Sequence, residues 1–414
     1  MRCDKPDATY KAGETATWTI ETADLDPADI TLARVILKQN GQTVMKDFSL
    51  DLSSGKATIE AALSEPGTIL ASVTVRLKNR DGELKSSGGA AFDPQLLGPA
   101  VPEPADFDAF WQAKIEELQA VPMNAVLEPK ESKNARVELS RIQLDNIRGT
   151  KVYGHFARPI ASSTQPAQAK LKRPALLVVQ WAGVYPLEPA WAVDRANEGW
   201  IVLNISVHDK PADRDEAFYK ALNEGELKSY TSIGAEDRET SYFLRMYLAC
   251  YRAVDYLASR EDWDGKTLVV AGSSQGGQQA IVTAGLHPKV TAILANVPSG
   301  CDSNAMVAGR APGFPGWQWK KGDTQKIMKT SQYFDAIYFA SRVRVPTLIG
   351  MGLIDTVCPP TGIFAAYNSL KGRRELVMMP QAWHSSDKGS HQRYFDRLGA
   401  WRQALLTTGA PPAE

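Results

Sequence analysis

Leu268-Val269-Val270-Ala271-Gly272-Ser273-Ser274-Gln275-Gly276-Gly277 reads as an apolar strand, a tight turn and the start of a helix running from Gln278 to about Leu286. Gly272-Ser273-Ser274-Gln275-Gly276 fits G-x-S-x-G, the pattern of a nucleophile elbow. A serine at the apex of a sharp strand-to-helix turn has a strained backbone. Its neighbours must be glycines, because a Cβ there would collide with the adjacent strand or helix. The serine oxygen is then exposed above the sheet. The Gln275 N–H points the same way at the helix N-terminus, where a developing oxyanion is stabilised. The pattern alone also fits a glycine-rich turn with an idle serine, so the reading depends on what surrounds it.

Downstream of Ser274 two strand-end loops carry the groups a serine nucleophile needs, namely a base and a carboxylate that orients it. Asp355 follows the strand expected over 346–353, and His384 follows the one expected over 375–379. The chain order serine, acid, histidine is that of α/β-hydrolases. Asp355 has a duller alternative as a helix cap near Thr361, and His384 as a surface loop residue. The chain has five histidines. His155 lies inside a strand pattern, His208 precedes a polar segment, His287 precedes Pro288 at a helix end, and His391 opens the last helix. Only His384 has the context of a general base. The second oxyanion donor is expected in Gln180-Trp181-Ala182-Gly183-Val184-Tyr185-Pro186, with the Val184 N–H first and Tyr185 as the alternative. Trp181, Tyr185 and Pro298 are expected to contact substrate.

Outward from this centre, strands and helices alternate from about Val137 onward. Buried strands are expected over 175–180, 200–207 and 290–296, and helices over 191–198, 236–259, 362–370 and 392–406. This alternation predicts a doubly wound, mostly parallel sheet. Residues 137–144 and 151–158 read as an antiparallel pair in front of it. Two insertions, the polar 208–232 and the glycine- and tryptophan-rich 298–332, are expected to wall the pocket. A helix from Asp106 through Leu118 presents Phe107, Phe110, Trp111, Ile115 and Leu118 on one face.

Residues 1–95 read as all-β, a small sandwich of immunoglobulin-like type preceding an α/β-hydrolase domain over 96–414. Thr15–Ile20 alternates at period two. Asn40-Gly41 is a hairpin signal between two β-rich runs, and Asp81-Gly82 is a second one. A carbohydrate-binding module would need exposed aromatics; none cluster here, which favours a packing or assembly role. Residues 93–105, rich in proline, form the linker.

A chain of 414 residues calls for two domains. Lysine plus arginine equals aspartate plus glutamate, 47 each, which gives no reason to expect nucleic acid or an anionic membrane as partner. No apolar run is long enough to span a bilayer. Cys3, Cys250, Cys301 and Cys358 are too few for a disulfide framework; Cys301 and Cys358 could be neighbours, more in keeping with two buried thiols than with a bridge. No histidine pair has zinc spacing, Arg260 stands where a phosphate loop needs glycine, and Asp355 replaces the third glycine of a dinucleotide site. No metal and no cofactor is expected. Met1–Pro6 has no apolar signal-peptide core, yet a strand pattern begins soon after it. That points to an exported protein whose signal has been removed, with a cytoplasmic one as the alternative.

From about Leu97 to Gly399 the chain resembles the acetyl xylan esterase and cephalosporin-C deacetylase family, carbohydrate esterase family seven. The stretches that carry the resemblance are Asp106-Phe107-Asp108-Ala109-Phe110-Trp111, Arg252-Ala253-Val254-Asp255-Tyr256-Leu257, the elbow itself and Tyr333-Phe334-Asp335. The strongest is Gly352-Leu353-Ile354-Asp355-Thr356-Val357-Cys358-Pro359-Pro360, followed by Ala365-Ala366-Tyr367-Asn368. The resemblance implies Ser274 as nucleophile, Asp355 as acid, His384 as base and Gln275 as one oxyanion donor. It implies deacetylation of small acetylated sugars or xylo-oligosaccharides, and ring-like homo-oligomers. Where the family shows His-Gly-Tyr this chain has Ala182-Gly183-Val184, so the backbone donor passes to Val184 while the pocket wall changes. The segment after Val207 lacks the family's arginine-glycine pair, and residues 1–95 are an addition. A longer-chain esterase or a peptidase on the same fold, and a non-catalytic carbohydrate-binding protein, are the alternatives.

Overall fold

The computed structural model describes residues 1–22, 25–160 and 171–413. A nine-stranded sheet forms its centre. In spatial order its strands are Arg374–Met379, Thr347–Gly352, Ala292–Asn296, Trp263–Ser273, Arg173–Val179, Ile201–Ile205, Lys151–Pro159, Val137–Asp145 and Val126–Lys130. The first six run parallel. The last three add on antiparallel. Successive residues of the parallel strands face opposite layers, as the pleat requires. Leu177, Val270, Ile293 and Ile349 face a layer that holds Trp111, Tyr247, Val254 and Ile281. Leu176, Val269, Leu294 and Leu348 face Ala192, Ala196, Trp401 and Leu405. Both faces are therefore covered by helices, which is why these strands read as unbroken apolar runs. This is the α/β-hydrolase architecture expected from the alternation.

Ahead of it, residues 1–92 form two smaller sheets. One holds Arg2–Cys3, Ala16–Glu21 and Lys56–Ala61; the other holds Thr9–Tyr10, Ile30–Gln39, Thr43–Ser49, Gly67–Leu77 and Arg80–Phe92. They close on one shared core, with Trp18 and Ile59 from the first against Val35, Leu37, Ile69 and Val73 from the second. The Asn40-Gly41 turn forms as expected, with φ of 54° and 69°. Asp81-Gly82 does not make the second turn. The chain reverses two residues earlier, pairing Leu77 with Arg80, and Gly82 sits in the register shift that follows.

Three expected elements differ in extent. The helix expected from Glu236 begins at Tyr242, because Ser241 is its first non-helical flank and Gly234 to Thr240 is a series of turns. The polar segment 208–232 contains a helix, Glu216–Glu224, capped by the Asp215 carboxylate accepting from the Phe218 N–H. The segment 298–332 likewise holds a helix, Thr324–Gln332, capped by Asp323. All four cysteines are free thiols, and Cys250, Cys301 and Cys358 are buried. Among the described residues no helix is long and apolar enough to cross a membrane.

Candidate active site

Ser274 sits at the end of the central strand Trp263–Ser273, just before the helix Gln275–Leu286, with φ 56° and ψ −120°. That conformation is costly for a residue with a Cβ and persists only where surroundings hold it. Here the Ser274 N–H donates to Asn296 O at 2.9 Å, and Ser274 O accepts from Ser299 N at 3.0 Å. The flanking glycines are required by close approach. A Cβ on Gly272 would lie 2.4 Å from the Gly276 carbonyl carbon, and one on Gly276 would lie 2.5 Å from Val179 O.

Strands Thr347–Gly352 and Arg374–Met379 are parallel neighbours, with Gly352 beside Met379. Their carboxyl-end loops therefore emerge side by side, and Ile354 N donates to Ala382 O across the gap at 3.4 Å. Register thus brings together two groups distant in sequence. His384 Nε2 lies 2.9 Å from Ser274 Oγ. His384 Nδ1 lies 2.8 Å from Asp355 Oδ2. The other Asp355 oxygen accepts from the Val357 and Cys358 N–H groups, each at 2.8 Å. The carboxylate is thus fully partnered in its own loop and does not cap the helix at Thr361. It is wholly buried, while His384 is partly open to solvent.

Residues outside the three hold this arrangement. His391 Nδ1 accepts from Asn296 Nδ2 at 3.1 Å, and its Nε2–H donates to Trp383 O at 2.7 Å, anchoring the loop that carries His384. On the opposite side, the His208 Nε2–H donates to Gly183 O at 2.9 Å while its Nδ1 accepts from the Tyr242 hydroxyl at 2.6 Å. Burial pushes the His208 pKa down to about 4. The Tyr230 hydroxyl donates to Gln275 Oε1 at 2.7 Å and sits 3.4 Å from the Gly183 N–H. His208 and Tyr230 are absent from the sequence-based site. Their signal was a histidine directly after a buried strand's carboxyl end and a lone aromatic in a polar stretch.

Gln275 is the first residue of its helix, where backbone N–H groups have no intrahelical partner. The Val184 N–H makes no hydrogen bond among the described residues. Its side chain packs on Leu227, Tyr230 and Tyr242, away from the cavity. The cavity, about 760 Å³, opens at Ser274, His384 and Trp181. Val178, Ala271 and Leu294 of the central strands and Tyr394, Phe395 and Leu398 of the last helix also line it. Two expected substrate contacts lie outside the cavity lining. Tyr185 stands behind Trp181, stacked on it at 5.3 Å with its hydroxyl donating to Trp181 O. Pro298 is buried against Gly277, at the back of the elbow, because the helix start leaves no other room there. Neither lines the cavity.

Asp355, Cys358 and His384 place three potential metal-ligand atoms within 4.8 Å of one another. A metal there would need a thiolate. Burial beside the Asp355 carboxylate instead pushes the Cys358 thiol well above its ordinary range. The Asp355 and His384 atoms are also already bonded to each other. The donor set therefore suits proton relay better than a metal.

A mostly parallel sheet with a hydroxyl, an imidazole and a carboxylate hydrogen-bonded in series at its carboxyl edge defines an ester hydrolase of the α/β-hydrolase fold. Residues 97–404 match the acetyl xylan esterase (AXE1) family. Acetyl esterase Axe7A of Xylanibacter ruminicola is 30% identical over 390 residues, covering 90% of this chain and 86% of that protein. The acetyl xylan esterase of Paenibacillus sp. R4 superposes with a TM-score of 0.60 at 25% identity, covering 74% of this chain and 97% of its own. Acetyl xylan esterase 1 of Thermoanaerobacterium sp. JW/SL YS485 shares the fold at a TM-score of 0.61 and 19% identity, covering 76% of this chain and 98% of its own. The chain belongs to the acetyl xylan esterase family.

Proposed function

We propose that the protein removes acetyl groups from acetylated sugars or xylo-oligosaccharides through an acyl-enzyme intermediate. The observation that carries this is the continuous relay from Ser274 Oγ to His384 at 2.9 Å and from His384 to Asp355 at 2.8 Å. His384 Nε2 takes the Ser274 proton as the oxygen attacks the acetyl carbonyl. Asp355 holds the ring through Nδ1 and stabilises the imidazolium. The tetrahedral oxyanion accepts from the Gln275 and Val184 N–H groups. When the intermediate collapses, the ester C–O bond breaks and His384 returns its proton to the sugar oxygen. Water, deprotonated by the same imidazole, then attacks the acetyl-Ser274 carbonyl and releases acetate. Pre-formed strain at Ser274 and a buried, fully partnered carboxylate mean that little reorganisation accompanies the reaction.

The test is acetate release from acetylated xylo-oligosaccharides by the full chain and by Ser274→Ala. Loss of at least about 10³-fold in kcat is expected, as for other serine relays. Wild-type turnover by S274A would end the assignment. Parallel acetyl, butyryl and peptide substrates separate deacetylation from the other reactions of this fold, with acetyl esters expected to be fastest.

A further inference from the structure

The Asn40-Gly41 turn does not end in solvent. The Ala311 N–H, in the 298–332 insertion, donates to Asn40 O at 2.9 Å. Gly41 lies so close to Ala311 that a Cβ would stand 3.1 Å from the alanine's own. The turn is held from behind, with Asn40 Oδ1 accepting from the Thr68 N–H at 2.9 Å. Between this turn and the loop that carries Asp355 lies a separate cavity of about 330 Å³, within the range of small-molecule sites, which begins at about 300 Å³. The β-rich region supplies Gln42 and Thr68 to it; the catalytic part supplies Trp319, Thr356 and residues 353–355.

Three features specify what would fit. Trp319 is 70% exposed, and its ring lies over Gly316, where a Cβ would stand 2.7 Å from it, so a flat indole is held open beside the cavity. Gln42 and Thr356 are exposed polar groups on the rim. Among the described residues that line it only Asp355 is charged, and its carboxylate is taken up by His384, Val357 and Cys358. A neutral ligand with an apolar face and many hydroxyls matches this; an anion or a cation finds no partner. The cavity borders the reaction site: Thr356 lines it, and the next residue, Val357, lines the cavity at Ser274. The Trp383 indole N–H donates to Thr356 Oγ1 at 3.3 Å, and Trp383 directly precedes His384.

We propose that this cleft is a glycosyl subsite. It binds an unmodified sugar unit of the chain whose acetylated unit lies at Ser274, stacking it on Trp319 and hydrogen-bonding it through Gln42 and Thr356. The N-terminal β-rich region thereby completes a binding site through a turn rather than through aromatic side chains of its own. The proposal rests on the reading of an acetylated oligosaccharide as substrate.

The experiment measures kcat/KM of the full chain, Trp319→Ala and Gln42→Ala on an acetylated xylo-oligosaccharide and on acetylated xylose. Both side chains are exposed, so neither change threatens folding. The ratio of the two values, oligosaccharide over monosaccharide, is expected to fall about tenfold in W319A and severalfold in Q42A, through KM. An unchanged ratio in both variants overturns the subsite. Titration of S274A with an unacetylated xylo-oligosaccharide, followed by tryptophan fluorescence, reads the subsite without turnover. Binding that W319A in the same background weakens about tenfold supports it even if wild type releases acetate from aryl esters alone, which would refute the substrate reading. No binding, or binding that W319A leaves intact, overturns the subsite.

Discussion

His208 holds the carbonyl of Gly183 and through it the loop whose next amide, Val184, is the proposed second oxyanion donor. A neutral ring suits this task, since Nε2–H must donate to a carbonyl while Nδ1 accepts from Tyr242. Burial holds the ring's pKa near 4, against about 6.5 when unfolded. Below pH 6.5 the unfolded chain therefore takes up a proton that the native chain refuses. Stability from this site is complete above pH 6.5 and is lost as pH falls through to 4, by about 3 kcal/mol in all. His208→Gln is expected to be less stable at pH 7.5 but to show a flatter fall between pH 6.5 and 4. Urea midpoints across that range check it; parallel curves for the two proteins would remove His208 as the source. The strain at Ser274 was legible from sequence because the glycine spacing stood together with a downstream acid and histidine in the right order. His208 was not, because its partners lie 25 and 34 positions away and no local pattern encodes them.

Elements with one strong periodic face were legible, and those that depend on a cap or a distant partner were not. The apolar strands around Val270 and Ile349 declare themselves because both faces are buried. The helix Glu216–Glu224 buries only Tyr219, so its composition looks like a loop and only the Asp215 cap marks its start. The Arg2–Cys3 and Thr9–Tyr10 strands are two residues each, too short to show a period, and Val126–Lys130 is exposed throughout. The short turn Tyr230–Ser232 is a case where such an unreadable element reaches the elbow. Tyr230 joins the elbow, through Gln275 Oε1, to the loop at Gly183. Among the described residues Gln275 Nε2 has no partner, so losing the hydroxyl would leave both ends of that buried amide unsatisfied, at a cost of about 1–3 kcal/mol. Tyr230→Phe is expected to lower kcat about tenfold with KM changed less than about threefold, because the donors it aligns act on the transition state. Steady-state kinetics on an aryl acetate decides the matter, and an unaltered kcat would show that the hydroxyl does not position the elbow.

Across the whole molecule, the catalytic loops are sandwiched between the central sheet and the N-terminal sheets. The two solved relatives are almost fully covered by about three quarters of this chain, whereas the Xylanibacter ruminicola protein aligns with 90% of it, more than residues 97–414 can supply. At least part of the β-rich region thus aligns with the Xylanibacter ruminicola protein, while the two solved structures are matched almost in full without all of this chain. The region's place in this structure is against the machinery: the Gly89 N–H donates to Pro380 O at 3.2 Å, at the start of the loop leading to His384. A Cβ on Gly89 would lie 2.5 Å from the Leu353 Cβ and 2.6 Å from its carbonyl oxygen, two residues before Asp355. Neither contact can yield without moving the backbone that holds the acid. Gly89→Ala is therefore expected to lower stability by about 1–3 kcal/mol, as overpacking does, and to reduce kcat as Asp355 shifts from His384. Gly82→Ala provides the contrast. Its φ of +87° makes any side chain strained, but nothing lies within 4 Å, so that change should weaken the β-rich region while leaving kcat intact. Calorimetry paired with kcat on both variants tests whether the domain contact reaches the reaction. Equal effects of G82A and G89A on kcat would mean that the N-terminal sheets act only as ballast.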